Sequence, residues 1–318
     1  MKNLDRPVPL RTVPCGTVPE VVFLVGPTGS GKTELSLLLA KRLGGEIISA
    51  DSMLVYRGMD IGTAKPAPAE QRKVRHHLID LVSPRSYFSV YLHRQRAFEA
   101  IQQILKRGKI PLIVGGSGLY VNAIWKGLSN IPGQGRKIYA PRGGNLYERL
   151  RRLDPALANR IHPHDQRRIL RALAIAKSSG KVPSEWYGRR ESLTDLGYSP
   201  RVFGITRDRE EIYERINQRV KTMFRQGLIR EVKRLKRTGF SKTSKQALGY
   251  REVLEFLKRE KDSNQREALI PLIQKRTRQF AKRQLTWFRR EKEIQWIPWR
   301  RGESASQVCD KIMKELKS

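Results

Sequence analysis

Eight consecutive residues near the start of the chain have the spacing of a phosphate-binding loop: a glycine, four further residues, then Gly-Lys-Thr. They are Gly26, Pro27, Thr28, Gly29, Ser30, Gly31, Lys32 and Thr33. The run before them, 21–25, is β-branched and aromatic, which is typical of a buried strand, and leucines in the run after them, 34–43, recur at helical spacing. Because a strand and a helix flank the glycines, the pattern predicts a phosphate site rather than an unrelated turn.

The chemistry of this loop follows from its backbone. Successive N–H groups and the positive end of a helix dipole surround a phosphate. We therefore expect residues 26–33 to bind a di- or triphosphate, with the charge of Lys32 on the phosphate and the Thr33 hydroxyl on Mg²⁺. The loop alone does not identify the molecule that carries the phosphates.

The charge of the chain points to a second, polyanionic partner. Lysine and arginine number 64 against 30 aspartate and glutamate residues, for a formal net charge of +34. Such an excess predicts association with nucleic acid that weakens as salt rises, with a solvated basic surface as the plainer alternative. The two cysteines, Cys15 and Cys309, imply neither a disulfide framework nor a zinc site.

Hydropathy and length bound the architecture. No apolar run approaches the roughly 20 residues that cross a bilayer, and the N-terminus lacks the apolar core of a signal peptide, so we expect a cytoplasmic protein. The 318 residues allow a complete α/β core plus a second domain. We predict a P-loop NTPase-like core with a mostly parallel sheet flanked by helices, and a small inserted helical domain. The boundaries are 1–19 for a flexible leader, 20–127 for the first part of the core, 128–200 for the inserted domain, and 201–318 for the second part of the core with basic C-terminal helices.

An acidic residue follows the second predicted strand, 46–50. Asp51 and Ser52 stand at the carboxyl end of that strand, where the ligands of open α/β sheets gather. Asp51 can ligate Mg²⁺ through water, act as a general base on an acceptor, or cap the next helix, and the sequence leaves these three roles open. The segment after it, 53–65, is expected to be an irregular functional loop.

A second glycine-rich turn, 115–120 (GGSGLY), follows another predicted strand, 110–114, and opens onto a helix. A motor ATPase would carry an acidic residue here to hold Mg²⁺, whereas this turn offers more N–H groups and a hydroxyl for an anion. Transfer chemistry is therefore favoured over ATP hydrolysis coupled to motion. Between the two turns we predict a strand at 77–82 and a helix at 90–106.

Two predicted helices in the second half carry arginines on one face. The helix 166–177 includes a basic stretch, and the helix 210–225 places Arg215 and Arg219 four residues apart, on the same side. A strand at 201–206 is expected to lead back into the core. Phosphate contact is the functional interpretation of such faces, and a solvated helix face is the alternative.

The last long predicted helix, 265–292, interleaves cations with aromatic residues. That combination suits phosphate contacts together with base stacking. For Trp287 and Phe288 a place in the core is an equal alternative. Trp296 and Trp299, which follow the helix, are expected in the core.

In order along the chain, these motifs resemble those of the tRNA dimethylallyltransferases. The segments that carry the resemblance are 26–33 (GPTGSGKT), 48–52 (ISADS), 56–66 (YRGMDIGTAKP), 112–120 (LIVGGSGLY), 162–165 (HPHD), 246–251 (QALGYR) and 282–289 (KRQLTWFR). The resemblance covers about residues 20 to 298, and several of its motifs are more specific than a phosphate-binding loop alone.

The resemblance implies an activity and its catalytic residues. The phosphate-binding loop would hold dimethylallyl diphosphate with Arg219, and the acceptor would be N6 of adenine 37 in a tRNA, giving N6-isopentenyladenosine and diphosphate with Mg²⁺ as cofactor. Asp51 matches the catalytic aspartate of the family, which takes the N6 proton. Lys32, Ser117 and Arg215 would stabilise the departing diphosphate. The family usually has threonine in place of Ser117, and the hydroxyl is retained.

The resemblance also implies how tRNA binds. The inserted domain would grip the anticodon stem, and adenine 37 would flip out of its stack into a channel that ends at the phosphate-binding loop. The implied tRNA contacts are Asp51, Ser52, Met53, Leu54, Arg136, Arg167, Arg168, Ile169, Leu170, Arg171, Gln246, Ala247, Leu248, Gly249, Tyr250, Arg251, Lys282, Arg283, Gln284, Leu285, Thr286, Trp287, Phe288 and Arg289. The expected partners are thus tRNA and dimethylallyl diphosphate, with a monomeric protein and no membrane.

Two other classes of protein use part of this pattern. A small-molecule kinase would bind ATP at the same loop and could use Asp51 as a base, but it would not need a basic, aromatic helix. A non-catalytic RNA-binding P-loop protein would bind RNA regardless of an Asp51→Ala change. Neither class accounts for the whole set of motifs.

Overall fold

The computed structural model describes residues 18–129, 144–186, 190–258 and 264–317. Most of the predicted leader and the predicted tRNA contact Arg136 lie outside the described residues. Within the described ranges, no helix combines the length and the apolar character needed to cross a lipid bilayer.

The first part of the chain alternates strands and helices, as its buried β-branched runs and amphipathic segments predict. In chain order the elements are β1 (Glu20–Val25), α1 (Lys32–Arg42), β2 (Glu46–Ser49), α2 (Pro68–Lys73), β3 (His76–His77), α3 (Val90–Lys106), β4 (Pro111–Gly115) and α4 (Gly118–Trp125). The helix predicted at 90–106 has the predicted bounds, and the loop 53–65 consists of turns and irregular segments.

Four helices follow, apart from the sheet. They are α5 (Leu146–Leu153), α6 (Pro155–Ala158), α7 (Gln166–Ser179) and α8 (Pro183–Trp186). An apolar cluster that includes Leu150, Ile161 and Ile169 lies among them and is separate from the clusters on the sheet. A small helical domain needs such a cluster of its own. The boundaries 128–200 stay a prediction.

The chain then returns to the sheet. The remaining elements are β5 (Ser199–Thr206), α9 (Arg209–Gln226), α10 (Leu228–Thr238), a short 3-10 turn (Ser244–Gln246), α11 (Tyr250–Phe256), α12 (Asn264–Phe288), β6 (Gln295–Pro298) and α13 (Ala305–Lys317). The strand predicted at 201–206 and the helix predicted at 210–225 lie within β5 and α9.

The described strands form one six-stranded sheet in the order β3-β2-β4-β1-β5-β6, with every pair parallel. Residues 21–25 of the central strand β1 are fully buried, since apolar clusters cover both faces of the sheet. The predicted fold class, an α/β core with a mostly parallel sheet flanked by helices, is confirmed. Because parallel strands end at the same edge, the loops after β1, β2, β4 and β5 meet there.

Two predicted elements end earlier than expected. The strand predicted at 77–82 stops at His77, because Leu78 and Asp80 adopt positive φ angles of 62° and 56° that turn the chain away from the sheet. The helix predicted at 265–292 stops at Phe288.

Of the two tryptophans predicted for the core, Trp299 is buried and Trp296 is half-buried.

Candidate active site

The phosphate-binding loop joins β1 to α1, and its shape requires glycine. Gly29 and Gly31 have φ angles of 84° and 91°, which side chains disfavour. A Cβ atom on Gly31 would lie 2.8 Å from the Trp299 ring, and one on Gly26 would lie 2.8 Å from the carbonyl oxygen of Ile205. The N-terminus of α1 that follows has no side-chain cap, which leaves an anion-binding helix end at the edge of the sheet.

Lys32 is the cation of this loop. Its Nζ donates a hydrogen bond to the Pro27 carbonyl oxygen at 2.7 Å. Burial and, to a smaller extent, the nearby Arg219 guanidinium lower the pKa of Lys32 to about 7, while the Asp51 carboxylate acts in the opposite direction. A bound anion would offset both the burial of the ammonium group and its repulsion from Arg219. The site therefore favours an anionic ligand.

Three arginines, one directly after β5 and two on α9, donate hydrogen bonds to the loop. Their contacts are Arg207 Nε to the Ser30 carbonyl at 3.0 Å, Arg215 Nε to the Gly29 carbonyl at 3.0 Å, and Arg219 Nη1 to the Thr28 hydroxyl at 3.2 Å. Arg215 and Arg219 were predicted at the diphosphate site, whereas sequence reasoning missed Arg207. The signal for Arg207 was its position directly after a strand, at the edge of the sheet where ligands gather.

Gln284 on α12 connects the two glycine-rich turns. Its Oε1 accepts a hydrogen bond from the Thr28 main-chain N–H at 2.9 Å, and its Nε2 donates to the Gly116 carbonyl at 2.8 Å. The resemblance had placed Gln284 on tRNA. This side chain is 7% exposed and uses both ends of its amide inside the protein, so it braces the two turns, while its contact with tRNA stays a prediction.

The second glycine-rich turn, after β4, presents a hydroxyl. Ser117 occupies the N-cap position of α4 and is half-buried, and its hydroxyl makes no capping hydrogen bond. A Cβ atom on Gly118 would lie 2.4 Å from the Trp287 ring, so α4 and α12 approach each other closely. The Ser117 hydroxyl and the N–H groups of α4 thus offer hydrogen-bond donors at the same sheet edge.

Asp51 follows β2 and faces the same edge. Its Oδ1 accepts a hydrogen bond from the Met53 N–H at 2.8 Å, which shapes the local turn. Among the described residues, none donates a hydrogen bond to Oδ2. The carboxylate influences the pKa of both Lys32 and Arg219. One oxygen therefore serves the backbone, and the second can accept a proton or bind a cation.

Tyr120 on α4 is buried and lies within electrostatic reach of Asp51. Burial raises the pKa of Tyr120, and the nearby Asp51 carboxylate acts in the same direction. Tyr87 is 56% exposed, an unusual exposure for an aromatic ring, and sequence reasoning missed it. Arg167 acts on Tyr120 in the opposite direction, so the start of α7 faces the same region.

The predicted tRNA-contact segments differ in the solvent exposure of their residues. Arg167, Arg168 and Arg171 are exposed along α7, with Leu170 half-buried between them. Near α11, Gln246 is exposed, and Leu248 and Arg251 are half-buried. On α12 the exposed residues are Lys282, Arg283, Thr286 and Arg289. Part of this surface is an open cleft lined by Leu248, Arg251, Glu255, Arg276, Gln279 and Arg283. The three arginines of its lining suit phosphate groups.

Several side chains in those segments face inward. The buried members are Ile169, Ala247, Gly249, Tyr250, Gln284 and Phe288. Phe288 is fully buried in the core cluster of the sheet, so it cannot stack on a base, whereas Trp287 is half-buried beside it. The tRNA contacts predicted for these residues stay predictions.

Comparison with known proteins assigns the chain to a family. Residues 54–291 match the family model described as IPP transferase. The chain belongs to the IPP transferase family. It is 42% identical over 305 residues to the tRNA dimethylallyltransferase of Pelotomaculum thermopropionicum, covering 92% of this chain and 95% of that protein. To the tRNA dimethylallyltransferase of Thermotoga maritima it is 40% identical over 304 residues, covering 93% and 97%.

Solved structures of tRNA-modifying enzymes share the fold of this IPP transferase family member. The crystal structure of the tRNA isopentenylpyrophosphate transferase from Bacillus halodurans has a TM-score of 0.68 and 37% identity, covering 94% of this chain and 97% of that one. A eukaryotic dimethylallyltransferase acting on tRNA has a TM-score of 0.80 and 27% identity, covering 94% and 79%. The family resemblance stated from the motifs is confirmed.

Proposed function

We propose that this IPP transferase family member transfers the dimethylallyl group of dimethylallyl diphosphate to N6 of adenine 37 in a tRNA. The observation that carries the proposal is the position of one carboxylate, Asp51, within electrostatic reach of the cations Lys32 and Arg219. An acceptor-side base thus stands beside a diphosphate-binding loop. Relatives named for this transfer support the choice of donor and acceptor.

On the donor side, negative charge develops on the diphosphate as the allylic carbon–oxygen bond breaks. Lys32 becomes fully charged in contact with that anion, because the anion offsets the burial that lowers its pKa. Arg215 and Arg219 each hold the loop with part of the guanidinium and keep further N–H donors for diphosphate oxygens. Donors fixed in advance favour the transition state, in which the leaving group carries the most charge.

We assign Mg²⁺ to Thr33. Thr33 is exposed as the second residue of α1, and its hydroxyl has no hydrogen-bond partner among the described residues. A hydroxyl oxygen beside phosphate oxygens and water is a suitable ligand for this ion. When bound, Mg²⁺ supplies charge neutralisation on the diphosphate.

On the acceptor side, the exocyclic amine of adenine is a weak nucleophile because its lone pair is delocalised into the ring. The amine nitrogen forms the new bond to the allylic carbon, the carbon–oxygen bond breaks, and diphosphate leaves with the bonding electrons. Asp51 accepts the N6 proton on the oxygen that no described residue uses. Ser117 donates toward the leaving oxygen from the second turn.

The exposed cations of α7 and α12, together with the half-buried Arg251 of α11, suit the tRNA backbone. They contribute phosphate contacts without sequence readout. A stacked adenine cannot reach the donor, so we propose that adenine 37 flips out of the anticodon loop. We propose the exposed ring of Tyr87 as a stacking partner for the flipped base.

The test is transfer of label from radiolabelled dimethylallyl diphosphate to a tRNA that carries adenines at positions 36, 37 and 38, with Mg²⁺. Asp51→Ala is expected to lower the rate about 100-fold, the scale of a lost general base. The control is Asp310→Ala, since Asp310 is an exposed carboxylate on α13, paired with Arg42.

Each outcome has a distinct meaning. Full transfer by Asp51→Ala would keep the function and remove Asp51 as the base. Wild-type protein that consumes ATP but transfers no label would favour the kinase alternative. RNA binding without product would favour the non-catalytic alternative.

A further inference from the structure

Glu231 is a buried carboxylate that stands outside the site described above. It lies on α10 and is 6% exposed. No lysine or arginine among the described residues forms an ion pair with it. A buried charge without a cation requires several hydrogen-bond donors in compensation.

Four donors converge on this carboxylate. Oε2 accepts from the N–H groups of Asp60 at 3.1 Å and Ile61 at 2.9 Å. Oε1 accepts from the N–H of Gly62 at 3.3 Å and from the Tyr250 hydroxyl at 2.5 Å. Three of the donors belong to one loop, 60–62, so Glu231 fixes that loop to α10, and Tyr250 fixes Glu231 in turn.

The same loop reaches the phosphate-binding loop through the next residue. The Thr63 carbonyl accepts a hydrogen bond from Arg219 Nη2 at 3.2 Å, and Arg219 Nη1 donates to the Thr28 hydroxyl at 3.2 Å. The position of Arg219 over the phosphate loop thus depends on where the backbone of Thr63 lies. That backbone is fixed one residue away by Glu231.

We propose that Glu231 is a positioning residue for the diphosphate site, which holds Arg219 on Thr28 through the loop 60–63. This inference rests on the proposed function, since it concerns the site that would hold the diphosphate of the donor. It also links the segment 246–251, which contributes Tyr250, to the diphosphate site by one continuous set of hydrogen bonds.

A carboxylate is required at this position, because both oxygens accept two hydrogen bonds. Glutamine has one acceptor oxygen, and its NH₂ group would face two further donors. Glu231→Gln therefore keeps the size of the side chain but loses hydrogen bonds to part of the loop. The matched control is Glu214→Gln, since Glu214 lies on α9 with its side chain 61% exposed and only a 3.6 Å contact to Arg301.

The experiment is a double-mutant cycle on the binding of inorganic diphosphate with Mg²⁺, measured by titration calorimetry. Glu231→Gln should weaken binding about tenfold when Arg219 is present, as expected for residues that share one hydrogen-bond network. In an Arg219→Ala background the same change should weaken binding less than about twofold. Glu214→Gln should bind like the wild type in both backgrounds.

A merely structural role gives a different result. If Glu231→Gln only destabilises the fold, the unfolding midpoint should fall while the folded fraction binds diphosphate with wild-type affinity. Alternatively, binding would weaken by the same factor with Arg219 present and in the Arg219→Ala background. Either result would overturn the proposal. Wild-type protein that fails to bind diphosphate would instead reject the proposed function.

A milder variant covers the case in which Glu231→Gln does not fold. Tyr250→Phe removes one donor and leaves the three backbone hydrogen bonds in place. It should weaken diphosphate binding two- to fivefold with Arg219 present and have no effect in the Arg219→Ala background. An unchanged affinity in Tyr250→Phe, together with an unfolded Glu231→Gln, would reject the positioning role.

Discussion

Gln284 accepts a hydrogen bond from the main-chain N–H of Thr28, a residue 256 positions earlier in the chain, at 2.9 Å. The other end of its amide donates to Gly116. The long basic helix α12 therefore sets the distance between the two anion-binding turns, as well as contributing exposed cations. The relative positions of the hydrogen-bond donors around a diphosphate depend on this one side chain.

We expect Gln284→Leu to leave two buried polar groups unpaired, at a cost of about 1–3 kcal/mol each. The free energy of unfolding should fall, and transfer activity should fall with a raised KM for dimethylallyl diphosphate. Gln284→Glu is the matched variant, because it keeps the acceptor for Thr28 but turns an oxygen toward the Gly116 carbonyl. Denaturant unfolding and steady-state kinetics measure both effects. Equal activity in all three proteins would contradict the bracing role.

The buried ammonium of Lys32 predicts a pH dependence of stability. In the unfolded chain this group keeps its proton up to about 10.5, and in the folded protein only up to about 7. Between those pH values the unfolded state binds more protons, so the free energy of unfolding contributed by Lys32 rises with pH. Urea unfolding at pH 7 and pH 9 should show this rise in the wild type and a smaller one in Lys32→Met. Parallel pH profiles would contradict the lowered pKa.

Gly118→Ala should force α4 and α12 apart, because the new Cβ would lie 2.4 Å from the Trp287 ring. Overpacking of this kind costs about 1–3 kcal/mol. The second change Trp287→Leu should restore part of the lost thermal stability, since it removes the colliding ring. A double variant no more stable than Gly118→Ala would show that another contact is responsible.

Arg283→Ala should weaken tRNA binding and reduce the slope of log affinity against log salt by about 1, as expected for one lost phosphate contact. Arg283 is exposed and lines the cleft beside α11. The control is Arg301→Ala, since the Arg301 side chain is 79% exposed, follows β6 and is not one of the predicted tRNA contacts. Filter binding over a range of salt concentrations measures both. An unchanged slope for Arg283→Ala would remove this residue from the interface.

Local sequence patterns were sufficient to predict most of the helices and strands and to identify the family. The strand before the phosphate loop, the helix at 90–106 and the turn 115–120 each carry their signal within a few adjacent residues, because burial and helical period act over that range. The strand expected at 77–82 was wrong beyond His77. Its apolar residues matched the strand pattern. The positive φ angles at Leu78 and Asp80 nevertheless turn the chain away from the sheet, and hydrophobic periodicity does not predict such a turn.

By itself, the sequence determined the phosphate-binding loop, the acid after β2, the second glycine-rich turn and the strongly basic character of the chain. Only the tertiary structure decided that Arg207 holds the loop, that Gln284 braces it and that Phe288 lies in the core. It also decided the contact of Glu231 with Tyr250. The physical reason is that these contacts join residues distant in sequence. Helical spacing shows which residues share a face but not which surface that face meets.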